Sequence, residues 1–168
     1  MCPTTNAASQ SPILTPTSPG EVAEMLEMLL GRGVTATAGG AATPWIQIVR
    51  VGVYIDAERN LRGLAGLTLP LANTVGAGLM MIPRGRADEA TAANTIGEGL
   101  DENIREIFNV ATTLFASIRK KRVILAGVCS GGTMPPYLAE PLKRITVRQD
   151  LNITVDGYTG GTLTMCYW

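Results

Sequence analysis

Two segments near the end of the chain alternate apolar and polar residues, and this pattern strongly limits the possible folds. In Ile145–Val155 and in Leu163–Tyr167, nearly every second residue is apolar. Alternation with a period of two predicts β-strands that bury one face. The turn residues of Asp156–Gly160 lie between the two segments, so they predict an antiparallel hairpin. The apolar face of such a hairpin must be covered by other elements of the chain.

The preceding sequence supplies further strands and the helices to cover them. Three segments predict strands, the first two of them joined as a hairpin by the turn at Asp56–Asn60; they are Val49–Ile55, Arg62–Leu69 and Val123–Val128. Three segments with helical apolar spacing predict helices, namely Glu21–Leu30 after a capping box from Ser18 to Glu21, Leu71–Ile82 and Asp101–Ser117. Loops are predicted at Thr37–Pro44, Pro83–Gly99 and Gly131–Pro141. The predicted fold is therefore an α+β single domain, with a largely antiparallel sheet and helices packed on one face.

Composition and length narrow the class of protein. Residues 1–17 are rich in Pro, Ser, Thr and Ala and predict a disordered N-terminal tail, so the domain is expected to span residues 18–168. The chain has 14 basic and 14 acidic residues, and this balance argues against a nucleic-acid-binding protein. No apolar run is long enough to cross a bilayer, and we expect no membrane insertion. Three cysteines form no disulfide framework and favour a cytoplasmic protein.

The chain contains no histidine, and this excludes the kinds of catalytic site that depend on an imidazole group. Triads built on serine or cysteine with histidine are excluded, and so are most zinc sites. The segment Gly127–Gly131 resembles a nucleophile elbow with Cys129 at its centre, but Pro135 and Pro136 prevent the helix that an elbow requires. We therefore interpret Cys129 as a small apolar residue at a strand end, and we expect no metal site.

The candidate site is a row of polar residues on the predicted helix Asp101–Ser117. Glu102, Glu106, Asn109 and Thr113 are spaced 4, 3 and 4 residues apart, which places them within about 60° of one another on an α-helix. The apolar residues of the segment fall on the opposite face. Such a row is either an ordinary solvated helix face or a polar stripe that enters the active site of a partner protein. Glutamate and asparagine side chains can position a water molecule or pair with a cation, which suffices when the substrate is already reactive.

A basic cluster follows this row. Residues 119–122 read Arg-Lys-Lys-Arg at the C-terminal end of the predicted helix. Cations at that position offset the helix dipole, and a docking patch for an acidic partner is the alternative interpretation.

The row and the order of elements around it resemble the CheC/CheX-type phosphatase domain of bacterial chemotaxis. The motif of that family is an acidic residue or serine, three residues, Glu, two residues, Asn, three residues and Gly, on an exposed helix. Glu102, Glu106 and Asn109 match it in type and spacing, whereas Thr113 stands in place of the glycine. The order is also similar: a leading amphipathic helix, a hairpin that ends in Leu-Thr-Leu-Pro-Leu, an apolar helix, the motif helix and terminal strands.

The resemblance implies a function in two-component or chemotaxis signalling. It implies docking on a CheY-like response-regulator receiver domain and dephosphorylation of its aspartyl phosphate. Asn109 would position the water and Glu106 would pair with a lysine of the partner, and Glu102 and Thr113 would contact the partner. Mg²⁺ would be supplied by the receiver domain, so no cofactor of the chain's own is expected. The alternative is a non-catalytic interaction module of the same fold, as in flagellar switch components. A homodimer through Leu163–Tyr167 is also possible if that strand lies at a sheet edge.

Overall fold

A computed structural model describes residues 14–168 and shows one antiparallel sheet with helices packed against it. The helices are α1 (Pro19–Leu30), α2 (Leu69–Leu79), α3 (Arg84–Ala92), α4 (Leu100–Val110), α5 (Thr112–Arg119) and the short α6 (Ala139–Leu142). The strands are β1 (Val34–Ala38), β2 (Ile48–Asp56), β3 (Leu61–Thr68), β4 (Val123–Cys129), β5 (Val147–Val155) and β6 (Gly161–Tyr167). Their order across the sheet is β1-β5-β6-β3-β2-β4, and every pair is antiparallel. The predicted α+β fold class is confirmed.

The alternation of side chains along the strands produces two separate apolar clusters, one on each face of the sheet. The larger cluster contains Tyr54, Leu67 and Met165 from the strands together with the buried faces of α1, α2, α4 and α5. The smaller cluster, on the opposite face, contains Val51 and Leu64. Three short 3₁₀ turns contribute to the cover of this second face: Trp45–Gln47, Gly131–Thr133 and Pro136–Leu138. The main helices therefore lie on one face, as predicted, while turns cover part of the other.

The N-terminal helix begins where the sequence places it. The Ser18 hydroxyl accepts a hydrogen bond from the Glu21 amide at 3.2 Å, and the Glu21 carboxylate accepts one from the Ser18 amide at 2.8 Å. This confirms the predicted capping box. Of the segment predicted as a tail, residues 1–13 lie outside the described part of the chain. Thr17 is buried, and its hydroxyl donates to the Leu114 carbonyl at 3.2 Å.

All three predicted loops contain some regular structure, and Gly131–Pro141 includes two of the 3₁₀ turns and the start of α6. The segment Pro83–Gly99, predicted as a loop, contains α3, and the predicted loop Thr37–Pro44 begins inside β1. Helix α3 has only one buried residue, Ala87, so its sequence lacks the apolar periodicity that marks a helix. Strand β1 has alternating but small side chains and gains its order by pairing with β5.

The terminal strand does not lie at an edge of the sheet. Strand β6, predicted as Leu163–Tyr167, pairs with β5 on one side and β3 on the other. The proposed route to a homodimer through Leu163–Tyr167 is therefore wrong, because both sides of this strand are already hydrogen-bonded. The two edges of the sheet are β1 and β4.

Candidate functional site

Helix α4 carries the candidate row and packs closely on the sheet and on α2. Two glycines make this approach possible. A Cβ atom on Gly52 would lie 2.9 Å from the Phe108 ring, and one on Gly76 would lie 3.0 Å from the Leu100 Cβ. Phe108 is 1% exposed, so there is no room for its ring to move away. Because Gly52 of β2 and Gly76 of α2 have no side chains, α4 can pack closely against both elements.

The predicted helix Asp101–Ser117 is two helices, interrupted at Ala111. Three successive carbonyl groups near the interruption accept hydrogen bonds from side-chain hydroxyls. The donors are Tyr54 to the Phe108 carbonyl at 2.9 Å, Thr112 to Asn109 at 2.7 Å and Thr113 to Val110 at 2.9 Å. Hydroxyl groups that bond to nearby carbonyls compete with the helical hydrogen bonds and bend or end a helix. The prediction of one continuous helix is therefore wrong.

The structure keeps three of the four predicted site residues on one exposed face. Glu102, Glu106 and Asn109 are all exposed on α4, and the Asn109 amide nitrogen lies 3.5 Å from a Glu106 carboxylate oxygen. At that distance the contact is weak, and the side chains make no other polar contact with described residues. Thr113 is also exposed but belongs to α5, beyond the interruption, and its hydroxyl is occupied by Val110. The side chains of Glu102, Glu106 and Asn109 are thus exposed to a partner, and Thr113 follows on the next helix.

One ion pair that the sequence does not suggest fastens the start of α4 to the sheet. The Arg50 guanidinium donates to both carboxylate oxygens of Asp101, at 2.7 and 3.0 Å. A bidentate contact of this kind holds the guanidinium and the carboxylate in a defined relative orientation. It borders an open depression of about 370 Å³ beside Glu102, Arg105 and Cys129. The two partners are separated by 51 residues, and no local pattern in the sequence links them.

One buried amide holds the part of the chain between α2 and α4 that leads into α4. The Asn73 side chain donates to the Thr91 hydroxyl at 3.0 Å and to the Thr95 carbonyl at 2.9 Å, and it accepts from the Gly97 amide at 2.9 Å. These bonds hold the loop that leads into α4. Because Glu106 and Asn109 are exposed, the segment does not cover the row.

The cysteine interpreted as structural lies at the end of β4. Cys129 is partly buried, its sulfur lies 3.9 Å from that of Met134, and burial raises the pKa of its thiol. Burial also raises the pKa of Cys166, to about 12, against a smaller opposing effect of Arg148. Thiols with raised pKa values are poor nucleophiles, which agrees with the structural interpretation.

Among residues 14–168, no cluster of three or more Cys, Asp or Glu side chains is arranged to hold a metal ion. The same part of the chain has no helix long and apolar enough to span a membrane.

Comparison with known proteins identifies the fold. No family model matches the sequence, and comparison with curated proteins gives no match. Solved structures do match. The FliM–SpeE complex from H. pylori aligns over 89% of this chain and 80% of that chain, with a TM-score of 0.64 and 10% identity. The chain has a CheC-like fold.

Two further structures agree with this assignment. The FliM middle domain from H. pylori covers 89% of this chain and 84% of its own, with a TM-score of 0.55 and 10% identity. The FliG–FliM complex from H. pylori covers 90% and 86%, with a TM-score of 0.54 and 10% identity. These alignments establish a common CheC-like architecture. Because the identity is only 10%, the chemistry has to be inferred from the residues of the site.

Proposed function

We propose that this chain is a protein-docking module of chemotaxis or flagellar-switch type, and that its α4 face binds the receiver domain of a response regulator and promotes hydrolysis of its aspartyl phosphate. The observation that carries the proposal is the pair formed by Glu106 and Asn109. Their side chains are exposed and lie 3.5 Å apart, on a helix whose other side packs closely against the sheet and α2. The similar FliM domains are known in complexes with FliG and SpeE, and this supports a docking role for the fold.

In the proposed reaction the chain supplies positioning rather than a nucleophile of its own. The Asn109 carboxamide holds a water molecule in line with the phosphorus atom. The water oxygen forms the new bond, the bond to the aspartyl oxygen breaks, and inorganic phosphate and a free carboxylate result. The Glu106 carboxylate pairs with a lysine of the partner, and Glu102 contacts the partner one turn earlier on the helix. The Mg²⁺ ion is bound by the receiver domain. We propose that the reaction takes place in the cytoplasm.

The test is the decay of phosphate on purified receiver domains from the same genome. We expect wild-type protein to accelerate the decay and Asn109→Ala to return it to the unassisted rate. Glu24→Ala is the matched control, because Glu24 is an exposed glutamate of α1, away from the row. It should behave as wild type. If the wild type binds a phosphorylated receiver domain without accelerating the decay, the phosphatase proposal is wrong.

A second candidate function is docking without catalysis, and Thr113 is the observation that favours it. Its side chain stands exposed just beyond Asn109, where the similar motif has glycine, and the helix is interrupted beside it. If this side chain keeps the partner too far from Asn109, the wild type will bind without activity. Thr113→Gly will then gain phosphatase activity, while Thr113→Ser, which keeps a hydroxyl group, will gain less. Equal inactivity of all three proteins despite binding supports the non-catalytic module.

A further inference from the structure

Strand β4 is an edge strand with unusual composition. It contains no charged residue and no proline, and no other described strand pairs with its outer side. The Ile124 side chain is 45% exposed, and a Cβ on Gly127 would meet no atom within 4 Å. Exposed apolar edge strands present unpaired backbone groups to other chains, and proteins usually protect them with charges or proline. This edge is thus open to an added strand.

A groove runs beside this edge on the sheet face opposite α4 and α5. Its volume is about 510 Å³, and most of its lining is apolar: Val53, Ile55, Arg59, Leu61, Ala126, Tyr137, Leu138 and Pro141. Ile124 pairs in register with Ile55, so its exposed side chain extends the same apolar surface. The ladder between β2 and β4 shifts register at Ala126. We therefore expect an added strand to pair mainly with the half of β4 that precedes this bulge.

The same half of β4 is bordered by cations. Lys120, Lys121 and Arg122 are exposed in the turn that leads into the strand, and Arg59 is exposed in the neighbouring turn. The two turns meet at one end of the sheet, because Val123 pairs with Asp56. None of these four cations forms an ion pair with a described residue.

The acidic groups at this end do not cancel that charge. The Asp56 carboxylate is buried and already paired with Arg62. Glu58 is the exposed acid of the turn. The surface next to the apolar edge is therefore clearly positive.

We propose that the outer edge of β4, its groove and these cations form a docking surface for an extended acidic segment of a partner protein. The segment adds as a strand to β4, directs alternate apolar side chains into the groove and sets its carboxylates against Lys121, Arg122 and Arg59. Backbone pairing provides affinity in this mode, and the groove selects the side chains. The groove lies on the sheet face opposite α4, which carries the Glu106–Asn109 row.

Charge distinguishes this occupant from a second copy of the chain. If β4 paired with itself about a two-fold axis, the basic turn of each copy would lie near the Cys129 end of the other. At that end Arg50 and Arg105 balance Asp101 and Glu102 in charge. A second copy therefore offers no net negative surface to these cations, whereas an acidic segment does.

The test uses two fluorescent synthetic peptides. Each joins a run of aspartates to a segment of alternating valine and threonine, and the second has the sequence of the first in reverse order. Binding to the full chain is measured by fluorescence anisotropy. We expect one direction to bind at micromolar concentration and to weaken as salt is added. A peptide of the same sequence in which every amide of the valine–threonine part is N-methylated should lose binding, because neither of its edges can then donate hydrogen bonds to a strand. A peptide with lysines in place of the aspartates should also fail to bind.

Two pairs of variants locate the surface. Ile124→Glu should weaken peptide binding about tenfold, whereas Ile46→Glu, at an exposed isoleucine outside the surface, should not. Arg122→Glu should weaken it about fivefold, whereas Arg86→Glu, at an exposed arginine of α3, should not. Circular dichroism confirms that each variant is folded.

Three results would overturn the proposal. One is no binding by either peptide direction, and another is equal binding by the N-methylated peptide. The third is a wild-type dimer in light scattering that Ile124→Glu converts to a monomer, because the occupant of the edge is then a second copy. None of these measurements depends on phosphate decay, so failure here leaves the proposed function untouched.

Discussion

The hydroxyl of Tyr54 donates a hydrogen bond to the Phe108 carbonyl at 2.9 Å, in the buried space between the sheet and α4. Both residues are almost fully buried. Phe108 immediately precedes Asn109, so a hydrogen bond from β2 reaches the backbone next to the candidate site. The Tyr54 ring also stacks on Phe115, with ring centres 4.3 Å apart. A single strand residue thus contacts both halves of the interrupted helix.

Removal of this hydroxyl tests how strongly the sheet supports the site. Tyr54→Phe leaves the Phe108 carbonyl buried without its partner, and we expect it to lower the free energy of unfolding by about 1–3 kcal/mol. Hydrogen exchange of the amides around Ala111 should become faster. Tyr137→Phe is the control, because Tyr137 is 66% exposed and its loss of a hydroxyl should cost little. Equal stability of the two variants would show that the buried bond contributes nothing.

A glycine in β3 makes room for the aromatic ring of α5. A Cβ on Gly63 would lie 2.2 Å from the Phe115 ring, which is held between Tyr54 and Tyr167. We therefore expect Gly63→Ala to lower the free energy of unfolding by about 1–3 kcal/mol.

The matched control is the same change at a strand glycine with free space. Gly127→Ala places its Cβ where no atom lies within 4 Å, and it should be close to neutral in thermal unfolding. If Gly63→Ala were equally neutral, Phe115 would have to be far more mobile than its burial indicates.

The buried amide of Asn73 should hold the segment that leads into α4. Asn73→Ala leaves the Gly97 amide and the Thr95 carbonyl without this partner, so we expect a loss of about 2–3 kcal/mol in the free energy of unfolding. Hydrogen exchange should rise at residues 95–100 before it rises in the strands. Asn103→Ala removes one longer bond of 3.3 Å and should cost much less. If Asn73→Ala increased hydrogen exchange equally in all parts of the chain, a local role for Asn73 would be contradicted.

The hairpin between β2 and β3 should make stability depend on pH. Burial of the Asp56 carboxylate opposes its ionisation, but hydrogen bonds from Asn60 and Arg62 hold its pKa well below the ordinary value. The unfolded chain takes up this proton near pH 3.9, whereas the folded chain does so only in stronger acid. The stabilisation is therefore complete above about pH 4 and falls progressively as the pH decreases below that value.

Thermal unfolding between pH 2 and pH 7 measures this effect. Asp56→Asn should lower the melting temperature at neutral pH, and its difference from wild type should shrink in acid. Glu58→Gln, at an exposed carboxylate of the same turn, should keep the wild-type pH dependence. If the difference in melting temperature between Asp56→Asn and wild type stays constant across this range, the effect does not depend on ionisation of the Asp56 carboxylate.

Local patterns in the sequence determine most of the elements. The alternation in Ile145–Val155 and Leu163–Tyr167 predicts β5 and β6, because a period of two separates the faces of a strand whatever its neighbours are. The capping box at Ser18 predicts the start of α1 for the same reason, since both of its bonds join residues three apart. The spacing of Glu102, Glu106 and Asn109 likewise predicts their common exposed face.

Only the tertiary structure decides how those elements meet. The ion pair of Arg50 with Asp101 joins residues 51 positions apart, and the bond from Tyr54 to Phe108 joins residues 54 apart. Strand β6 lies in the middle of the sheet because β5 and β3 both pair with it, which its own alternation does not reveal. Periodicity records which face of an element is apolar. The choice of partner depends on shape and on donors and acceptors that come together only when distant segments pack.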